Sequence, residues 1–577
     1  MRSDRYSPIL WPFLWLAIAI AFLFPIFSDW QSMGGWDQTY FHAFDETARR
    51  TVLDYGQFPA WNPYHCGGRT LIGHVASTHM HPLFWLVALP LGTGLGFKIY
   101  LLLHIFLGVA GMHLYMRERG AEDLGALVAA TAFGACGYFS WHFAGGHVSY
   151  YGLTLTPLIL LFLERGRHKA RYGVWVGLLL AWTFLLGGAY AYPFQVLLVG
   201  AHVIYYSVAD RSPTAFYTAA IAGLVSLGVS AVKVLPVLEF TLKHSRPSQL
   251  LESIAPWELF EPLLSRRSHF GRWGNHPFTW PEYGSYIGYL PLLLAMIAAA
   301  RQTTQRRYYV GMAIFFLLLV LGNHGPYSPY ALLRKLPVYK DLRVPSRYLI
   351  FVVFYLAALA GFAVSAWRRE LTSRFAAHQW RYYLPHATAL LVILELCSFG
   401  QHEFRRTYNI KPVPLALGES FDQWVVGRPE VESYLGPYRN VGIVNCYEEG
   451  ANPRSPHLRR GKVPQVFLER VGDGKIDEIR VTPNQITFRA TLERESVVLI
   501  NENVDSGWRI GDQKAFDVRG LIAFRLPAGE RRYRAVYRPR SMVIGICLTS
   551  TFMLGIVFFF VGLARRQRTG WRATLFP

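Results

Sequence analysis

The sequence has little charge and few cysteines. Of its 577 residues only 16% are charged, whereas 52% are hydrophobic and 15% are aromatic. This balance excludes an ordinary soluble domain, in which roughly a quarter of the residues are charged. The five cysteines form no CxxC pair and no Cys/His spacing typical of a metal site. Cys66 and Cys446 could pair in a disulfide, but nothing in their spacing requires it.

Motifs that mark several common classes of protein are also absent. The sequence contains no phosphate-binding P-loop, no GxGxxG between a strand and a helix, and no Ser-His-Asp order. It contains no internal repeat with a period of about 20–50 residues. These absences argue against a nucleotide-binding enzyme and against a repeat array.

Apolar runs of about the length that spans a bilayer recur along most of the chain. We predict twelve spans, near 9–28, 95–116, 124–143, 149–164, 173–188, 190–208, 214–240, 285–300, 308–322, 347–367, 383–400 and 541–563. The first run is followed at once by a polar loop and has no small-residue cleavage site, so we do not interpret it as a cleaved signal.

The net charge of +21 is concentrated in alternate short loops between these runs. The basic clusters are Arg117 and Arg119; Arg165, Arg167, Lys169 and Arg171; Arg301, Arg306 and Arg307; Arg368, Arg369, Arg374 and Arg381; and Arg565, Arg566 and Arg568. Because Lys and Arg near span ends are retained in the cytoplasm, both termini are predicted to be cytoplasmic. The excess charge then reflects topology and affinity for anionic lipid rather than nucleic-acid binding.

The same topology places residues 29–94, 241–284, 323–346 and 401–540 on the outer face. Residues 1–400 are predicted to form a helical membrane module, and residues 541–577 the last span with a basic cytoplasmic tail. Between them, 401–540 alternates apolar and polar residues in several short runs, which predicts antiparallel strands. The fold class is therefore a polytopic α-helical membrane protein, with about 12 transmembrane helices and an extracytoplasmic β-sandwich-like domain before the last one.

Asp37 follows the first span and is the candidate catalytic residue. A carboxylate at this boundary can act as general base on an acceptor hydroxyl, or it can simply cap the helix that follows. Asp45 is about two helical turns further on, roughly on the same face, and is a candidate for substrate binding. For Asp45, unlike Asp37, a purely structural role is favoured.

Arg343 and Arg347 are candidates for binding a phosphate on the outer face. They are four residues apart, they break the positive-inside trend, and Arg suits bidentate phosphate contacts. Contact with lipid headgroups is the alternative. His147, in the short outer loop after Gly145 and Gly146, is a third candidate for phosphate, although a lone His is often structural.

Glu282 and Tyr283 open a segment that combines one carboxylate with aromatic rings, which suits a sugar or acceptor site. The same composition also suits an interfacial aromatic belt. Four histidines of the first outer loop have no spacing typical of a metal site, so no metal ligand is predicted; they are His65, His74, His79 and His81.

Several motifs in a fixed order resemble the YfhO-type membrane proteins of the GT-C glycosyltransferase superfamily. These are the acidic residue after the first span, residues 56–64 (GQFPAWNPY), 281–291 (PEYGSYIGYLP), 343–347 (RVPSR) and 505–509 (DSGWR). The resemblance covers nearly the whole chain. It implies a GT-C-like module in a bacterial cytoplasmic membrane and a polyprenyl-phosphate sugar donor used on the outer face.

The resemblance also implies that Asp37 is the general base. Many GT-C enzymes have Asp-Glu at this place, whereas this chain has Asp37 followed by Gln38, so a divalent metal is not firmly implied. Arg343 and Arg347 would then neutralise the leaving phosphate. No other cofactor is implied.

The function we expect is transfer of one sugar from the lipid-linked donor to an envelope glycan, glycolipid or polymer. The partners would be donor, acceptor and membrane lipids, and no nucleic acid. The main alternative is a non-enzymatic transporter or flippase of lipid-linked glycans, which would favour paired broken helices and ionisable residues within the bilayer. A third alternative is an envelope scaffold protein whose active site is degenerate and does not catalyse transfer.

Overall fold

The computed structural model describes residues 9–35, 37–244, 252–267, 269–301, 303–374, 379–411, 420–445 and 454–568. Every predicted apolar run carries a helix. The α-helices of the membrane module are α1 (Leu10–Ser28), α2 (Asp37–Leu53), α3 (Leu89–Leu91), α4 (Thr93–Glu118), α5 (Asp123–Gly134), α6 (Gly137–Ala144), α7 (Thr156–Gly166), α8 (Gly173–Leu185), α9 (Ala191–Ala209), α10 (Thr214–Val229), α11 (Ala231–Lys243), α12 (Phe260–Leu264), α13 (Tyr289–Ala300), α14 (Thr304–Val320), α15 (Pro329–Leu333), α16 (Leu349–Arg374) and α17 (Leu384–Thr407).

Short turns of tighter or wider helix connect these elements. The 3-10 turns are Val148–Leu155, Ala170–Tyr172, Pro256–Leu259, Trp280–Glu282, Tyr339–Asp341, Pro345–Tyr348 and Trp380–Tyr383, and a π-helical turn covers Phe84–Ala88. The first outer loop also holds a two-stranded ribbon, β1 (Trp61–Asn62) with β2 (Arg69–Thr70).

Seven helices among the described residues are long and apolar enough to cross a membrane, or eight if one bent pair is a single span, compared with the twelve predicted. The predicted span 149–164 begins as a 3-10 turn, and α7 starts only at Thr156, where Pro157 favours a helix start. The predicted span 214–240 is two helices, α10 and α11, which diverge by 80°. The amide of Val232 at this break donates to the Thr549 hydroxyl, which replaces the helical partner that this amide lacks.

The outer domain is a β-sandwich, as the alternation predicts. Its elements are β3 (Asp422–Trp424), α18 (Pro429–Glu432), α19 (Leu435–Arg439), β4 (Val441–Ile443), β5 (Val466–Leu468), β6 (Gly474–Thr482), β7 (Gln485–Leu492), β8 (Ser496–Asn503), β9 (Trp508–Ile510), β10 (Gln513–Lys514), β11 (Phe516–Val518), β12 (Leu521–Leu526) and β13 (Gly529–Tyr537). One sheet has the order β10-β9-β13-β7-β6 and the other β11-β12-β8-β5. Ile486, Phe488, Val498 and Ile500 are fully buried between them. The last helix, α20, covers Arg540–Arg568.

This domain holds the first outer loop in place. The Asn484 side chain accepts the backbone amides of Ala60 and Trp61 at 3.2 and 2.8 Å. The Trp61 indole donates to the buried Glu502 carboxyl. Gly68 has a φ of +94°, and a β-carbon on it would come 2.7 Å from Glu502 Oε2. The turn therefore requires glycine at this position. The first outer loop is therefore held in place by the β-sandwich, which comes near the end of the chain.

Cys66, in the same loop, is disulfide-bonded. Cys136, Cys397 and Cys547 are free thiols. Cys446, the partner that the sequence offers, lies outside the described residues.

The loops assigned to the outer face meet at one end of the helical bundle. Met33 pairs with Ile410, and Ser253 pairs with Gly322, as isolated β-bridges. The α8–α9 turn also lies at this end, because a β-carbon on Gly187 would come 2.6 Å from the carbonyl oxygen of Ala76. The polar residues that these loops carry are thereby brought together.

Candidate active site

Asp37 is the first residue of α2 and faces the turn after α6. Gly146 in that turn has a φ of +79°, and a β-carbon there would come 2.1 Å from the Gln38 amide nitrogen. Glycine is thus required for the turn to lie against the start of α2. As a result, His147 Nε2 lies 3.5 Å from Asp37 Oδ2.

His147 is linked in turn to His142, on the last turn of α6. Their Nδ1 atoms are 2.7 Å apart, so one of them carries the proton and the other accepts it. The buried His142 ring stacks on Tyr150 with 4.3 Å between the ring centroids. Asp37, His147 and His142 thus form a row of titratable side chains in which each contacts the next.

Arg347 and Glu282 form a buried pair beside this chain. The Arg347 Nε and Nη2 atoms donate to the two Glu282 oxygens at 2.7 and 2.6 Å. The guanidinium also lies over the Tyr190 ring at 4.1 Å and the Tyr150 ring at 5.4 Å. Burial acts to raise the pKa of Glu282, but the adjacent Arg347 outweighs it and holds that pKa well below its usual range. Glu282 is therefore ionised near neutral pH.

One nitrogen of the Arg347 guanidinium takes no part in the pairing with Glu282. Arg347 Nη1 is buried and has no hydrogen-bond partner among the described residues. A buried guanidinium donor without a partner is costly, and a ligand oxygen would satisfy it.

Among the described residues, one group of three side chains could hold a metal ion. The ligand atoms of His142, His147 and Glu282 all lie within 4.8 Å of one another. Two imidazoles and a carboxylate are ligands that transition metals such as zinc accept. However, Glu282 is already bound on both oxygens by Arg347, whose charge opposes a cation.

Asp45 does not join this group. Its side chain is fully buried and accepts a hydrogen bond from the Thr78 hydroxyl. Burial raises the pKa of Asp45 to about 7. The expectation of a shared face with Asp37 is wrong, because eight residues rotate about 80° beyond two full helical turns.

Tyr283 and Arg343 are the remaining predicted site residues. The Tyr283 hydroxyl donates to Glu252, whose pKa burial raises to about 7. Arg343 is half-buried in the turn before α16 and forms no hydrogen bond or ion pair within the described part of the chain. Its charge is therefore not neutralised by a neighbouring carboxylate.

Lys233 is a buried residue that the sequence analysis did not single out. Its Nζ donates to the carbonyls of Ser77, Phe184 and Leu185 at 2.5, 3.1 and 3.3 Å. It thus caps the carboxyl end of α8 and ties the first outer loop to it. The signal that could have found it is an ionisable residue inside an apolar run. His142 was missed because it lies within a predicted span.

The helical module with its outer β-sandwich and converging outer loops defines the fold of a polytopic α-helical membrane protein. A mutant of the arabinofuranosyltransferase AftD from Mycobacteria shares this fold with a TM-score of 0.50 and 15% identity, over 77% of this chain and 33% of that one. The chain thus spans about a third of the length of AftD.

Two further solved structures are more distantly similar. A second AftD structure gives a TM-score of 0.44 at 15% identity, over 70% of this chain and 27% of that one. ArnT from Cupriavidus metallidurans, bound to undecaprenyl phosphate, gives 0.40 at 12% identity, over 75% and 86%. No family model and no curated protein matches the chain.

Proposed function

We propose that this chain is a membrane glycosyltransferase. It moves a sugar from a polyprenyl-phosphate-linked donor to a hydroxyl of an envelope glycan, glycolipid or polymer, with Asp37 as general base. The observation that carries the proposal is the meeting of Asp37, His147, Glu282 and Arg347, from four separate segments, at one end of the bundle. The fold shared with AftD, which is named as an arabinofuranosyltransferase, agrees with this class of reaction.

In this proposal Asp37 removes the proton of the acceptor hydroxyl as its oxygen bonds to the sugar carbon. The bond from that carbon to the donor phosphate breaks, and the phosphate keeps the electron pair. His147, 3.5 Å from Asp37, stabilises the ionised carboxylate when it is protonated. The contact between the Nδ1 atoms of His147 and His142 fixes the orientation of the His147 ring towards Asp37.

The donor phosphate is assigned to the arginine side of the site. Glu282 neutralises much of the Arg347 charge and fixes the orientation of its guanidinium. The remaining Nη1 donor, the uncompensated Arg343 and His147 are the groups that we expect to bind phosphate oxygens. Glu282 is then a positioning residue, while Asp45 and Tyr283 support the surrounding loops.

The finer identity belongs to the same proposal. The order of motifs favours a YfhO-type protein of a bacterial cytoplasmic membrane, with both termini in the cytoplasm and the site on the outer face.

One feature favours the transporter alternative. The 80° break between α10 and α11, next to the buried Lys233, is typical of transporters with discontinuous helices. In this chain, however, Lys233 is already bound by three carbonyls. A transporter would move lipid-linked glycan whether or not Asp37 is ionisable.

The test is transfer of radiolabelled sugar from polyprenyl-phosphate carriers by purified protein in detergent. Asp37→Asn should lower transfer at least about 100-fold, as expected for loss of a general base, with unchanged thermal unfolding. Asp54→Asn, which removes an exposed acid just after the same helix, is the matched control and should keep full transfer. A destabilised Asp37→Asn protein would mean that the Asp37 charge has a structural role, since Asn caps a helix as well as Asp does. No transfer by the wild type from any carrier would favour transport.

A further inference from the structure

An apolar groove opens on the surface of the helical bundle and runs along α13 away from the candidate active site. It has a volume of about 340 Å³ and lies between α13, α16 and α17. Its walls include Leu293, Ile297 and Ala363, and Trp367 stands near one end. Leu293 and Ile297 are 50% and 46% exposed, so the groove is open along its length.

The groove follows α13 from Leu290 to Arg301. At 1.5 Å per residue this is about 16 Å, close to the hydrocarbon thickness of one leaflet, about 15 Å. Arg301, at the far end of α13, belongs to a basic cluster that the positive-inside pattern assigns to the cytoplasmic face, so this end of the groove is assigned to the leaflet opposite the candidate active site. A Trp near the groove end is typical of the membrane–water boundary.

That end of the groove is positively charged. Arg301 and Arg306 both line it, and neither forms an ion pair with a carboxylate in the described ranges. Arg306 Nη1 reaches the Arg301 carbonyl at 3.5 Å, which holds the two residues together. The charge of Arg369 also acts on Arg306. Three guanidinium groups thus repel one another next to an apolar groove.

We propose that this groove binds one anionic phospholipid of the leaflet opposite the candidate active site. Its phosphate lies between Arg301 and Arg306, and an acyl chain fills the groove along α13. A zwitterionic lipid such as phosphatidylcholine also carries a phosphate, but its choline cation would be repelled by the same arginines, so an anionic phospholipid is favoured. The match between groove length and one leaflet favours a membrane phospholipid over a longer carrier lipid. This site is separate from the proposed transfer reaction and does not depend on it.

The experiment is native mass spectrometry of the detergent-solubilised full chain, titrated with dioleoylphosphatidylglycerol, dioleoylphosphatidylcholine or a polyprenyl phosphate. The wild type should bind one phosphatidylglycerol more tightly than phosphatidylcholine. The double variant Arg301→Gln, Arg306→Gln should lose about 30-fold in affinity for phosphatidylglycerol, a loss of about fivefold for each arginine at a lipid surface. Leu293→Trp, at an exposed position, should block the groove and weaken binding of both phospholipids.

The matched control is the double variant Arg171→Gln, Arg374→Gln, which removes two exposed charges outside the groove. It should bind phosphatidylglycerol as the wild type does. Equal losses in the two double variants would mean general charge attraction and would overturn the site. Equal binding of the two phospholipids by the wild type, or tighter binding of the polyprenyl phosphate, would overturn the proposed occupant.

Discussion

At the scale of single residues, the two arginines of the candidate site are in unlike environments. Arg347 is fixed by two hydrogen bonds to Glu282 and by the faces of Tyr190 and Tyr150. Arg343, one helical turn earlier in sequence, has no charged partner in the described structure. Arg343 would therefore supply most of the electrostatic attraction for an incoming phosphate, and Arg347 would fix the position of that phosphate.

Arg343→Ala should weaken donor binding roughly tenfold, because a charge-assisted hydrogen bond to phosphate is lost. The measurement is the dissociation constant of a polyprenyl-phosphate sugar for the purified protein. Lys335→Ala removes an exposed charge in the same loop and serves as the control. An unchanged donor affinity in Arg343→Ala would remove this residue from the site.

Glu282→Gln and Arg347→Gln should each lower the free energy of unfolding by about 3–5 kcal/mol, because each leaves a buried charge without its partner. The double variant should lose less than the sum of the two, by about 1–3 kcal/mol, since neither charge then remains. Chemical unfolding of the three variants in the same detergent gives this coupling energy. Strictly additive losses would contradict the ion pair as the source of the effect.

At the scale of elements, the contact between β1 and the outer domain contains a carboxyl group in an apolar setting. Burial raises the pKa of Glu502 from 4.5 to about 8, against the hydrogen bond from the Trp61 indole. Glu502 is therefore protonated in the folded protein at neutral pH. A folded-state pKa above the unfolded one gives stability that is complete below pH 4.5 and declines as the pH rises to about 8.

The expected slope is at most about 1.4 kcal/mol per pH unit across that window. Glu502→Gln keeps the shape and the acceptor but cannot ionise, so its stability should depend less on pH than that of the wild type. Thermal unfolding of both proteins between pH 5 and 8 measures the difference in their stability at each pH. Asp45 is present in both proteins, so its similar contribution cancels in this difference. Parallel curves for the two proteins would contradict the assigned protonation of Glu502.

Strand alternation predicted most of the outer domain well, because one face of each strand is buried in a shared core. The run Gln485–Leu492, with its alternating burial, is the clearest case. The break at Ser230 could not be predicted, because the apolar composition continues through it and the partner that satisfies it, Thr549, is more than 300 residues away.

The site was predicted in part for a similar reason. Asp37, Glu282 and Arg347 break a local rule, since each is a charge next to an apolar run, and this made them visible in the sequence. Which charge pairs with which depends on how distant loops pack, so the Arg347 and Glu282 pair was not foreseen. Asp45 resembled Asp37 in sequence and differs from it only by rotation around α2.

At the scale of the whole molecule, the β-sandwich and the candidate site occupy the same end of the bundle, while the basic loops lie at the other. Arg374, at the far end of α16, is 25 helical residues beyond Leu349 and hence about 38 Å from the site. This separation exceeds the hydrocarbon thickness of a bilayer, about 30 Å. The two ends of the bundle therefore face opposite sides of the membrane.

Labelling of single cysteines with a membrane-impermeant maleimide should reveal which side each end faces. In a Cys547→Ser background, Val471→Cys, at a fully exposed position of the outer domain, should react in intact spheroplasts. Arg374→Cys should react only after the membrane is permeabilised. The reverse pattern would contradict a cytoplasmic location for the basic loops.

The contact between the first outer loop and the β-sandwich can form only late in the synthesis of the chain. Trp61 and the side chain that accepts its amide, Asn484, are 423 residues apart in the chain. At about 5–20 residues per second, the ribosome needs about 20–85 s to make the second after the first. For that interval Asp37 and the histidines around it lack their final support. The earliest part of the candidate site to be made is thus among the last to be fixed in place, and a chain that stops before the sandwich leaves the first loop without its contacts to Asn484 and Glu502.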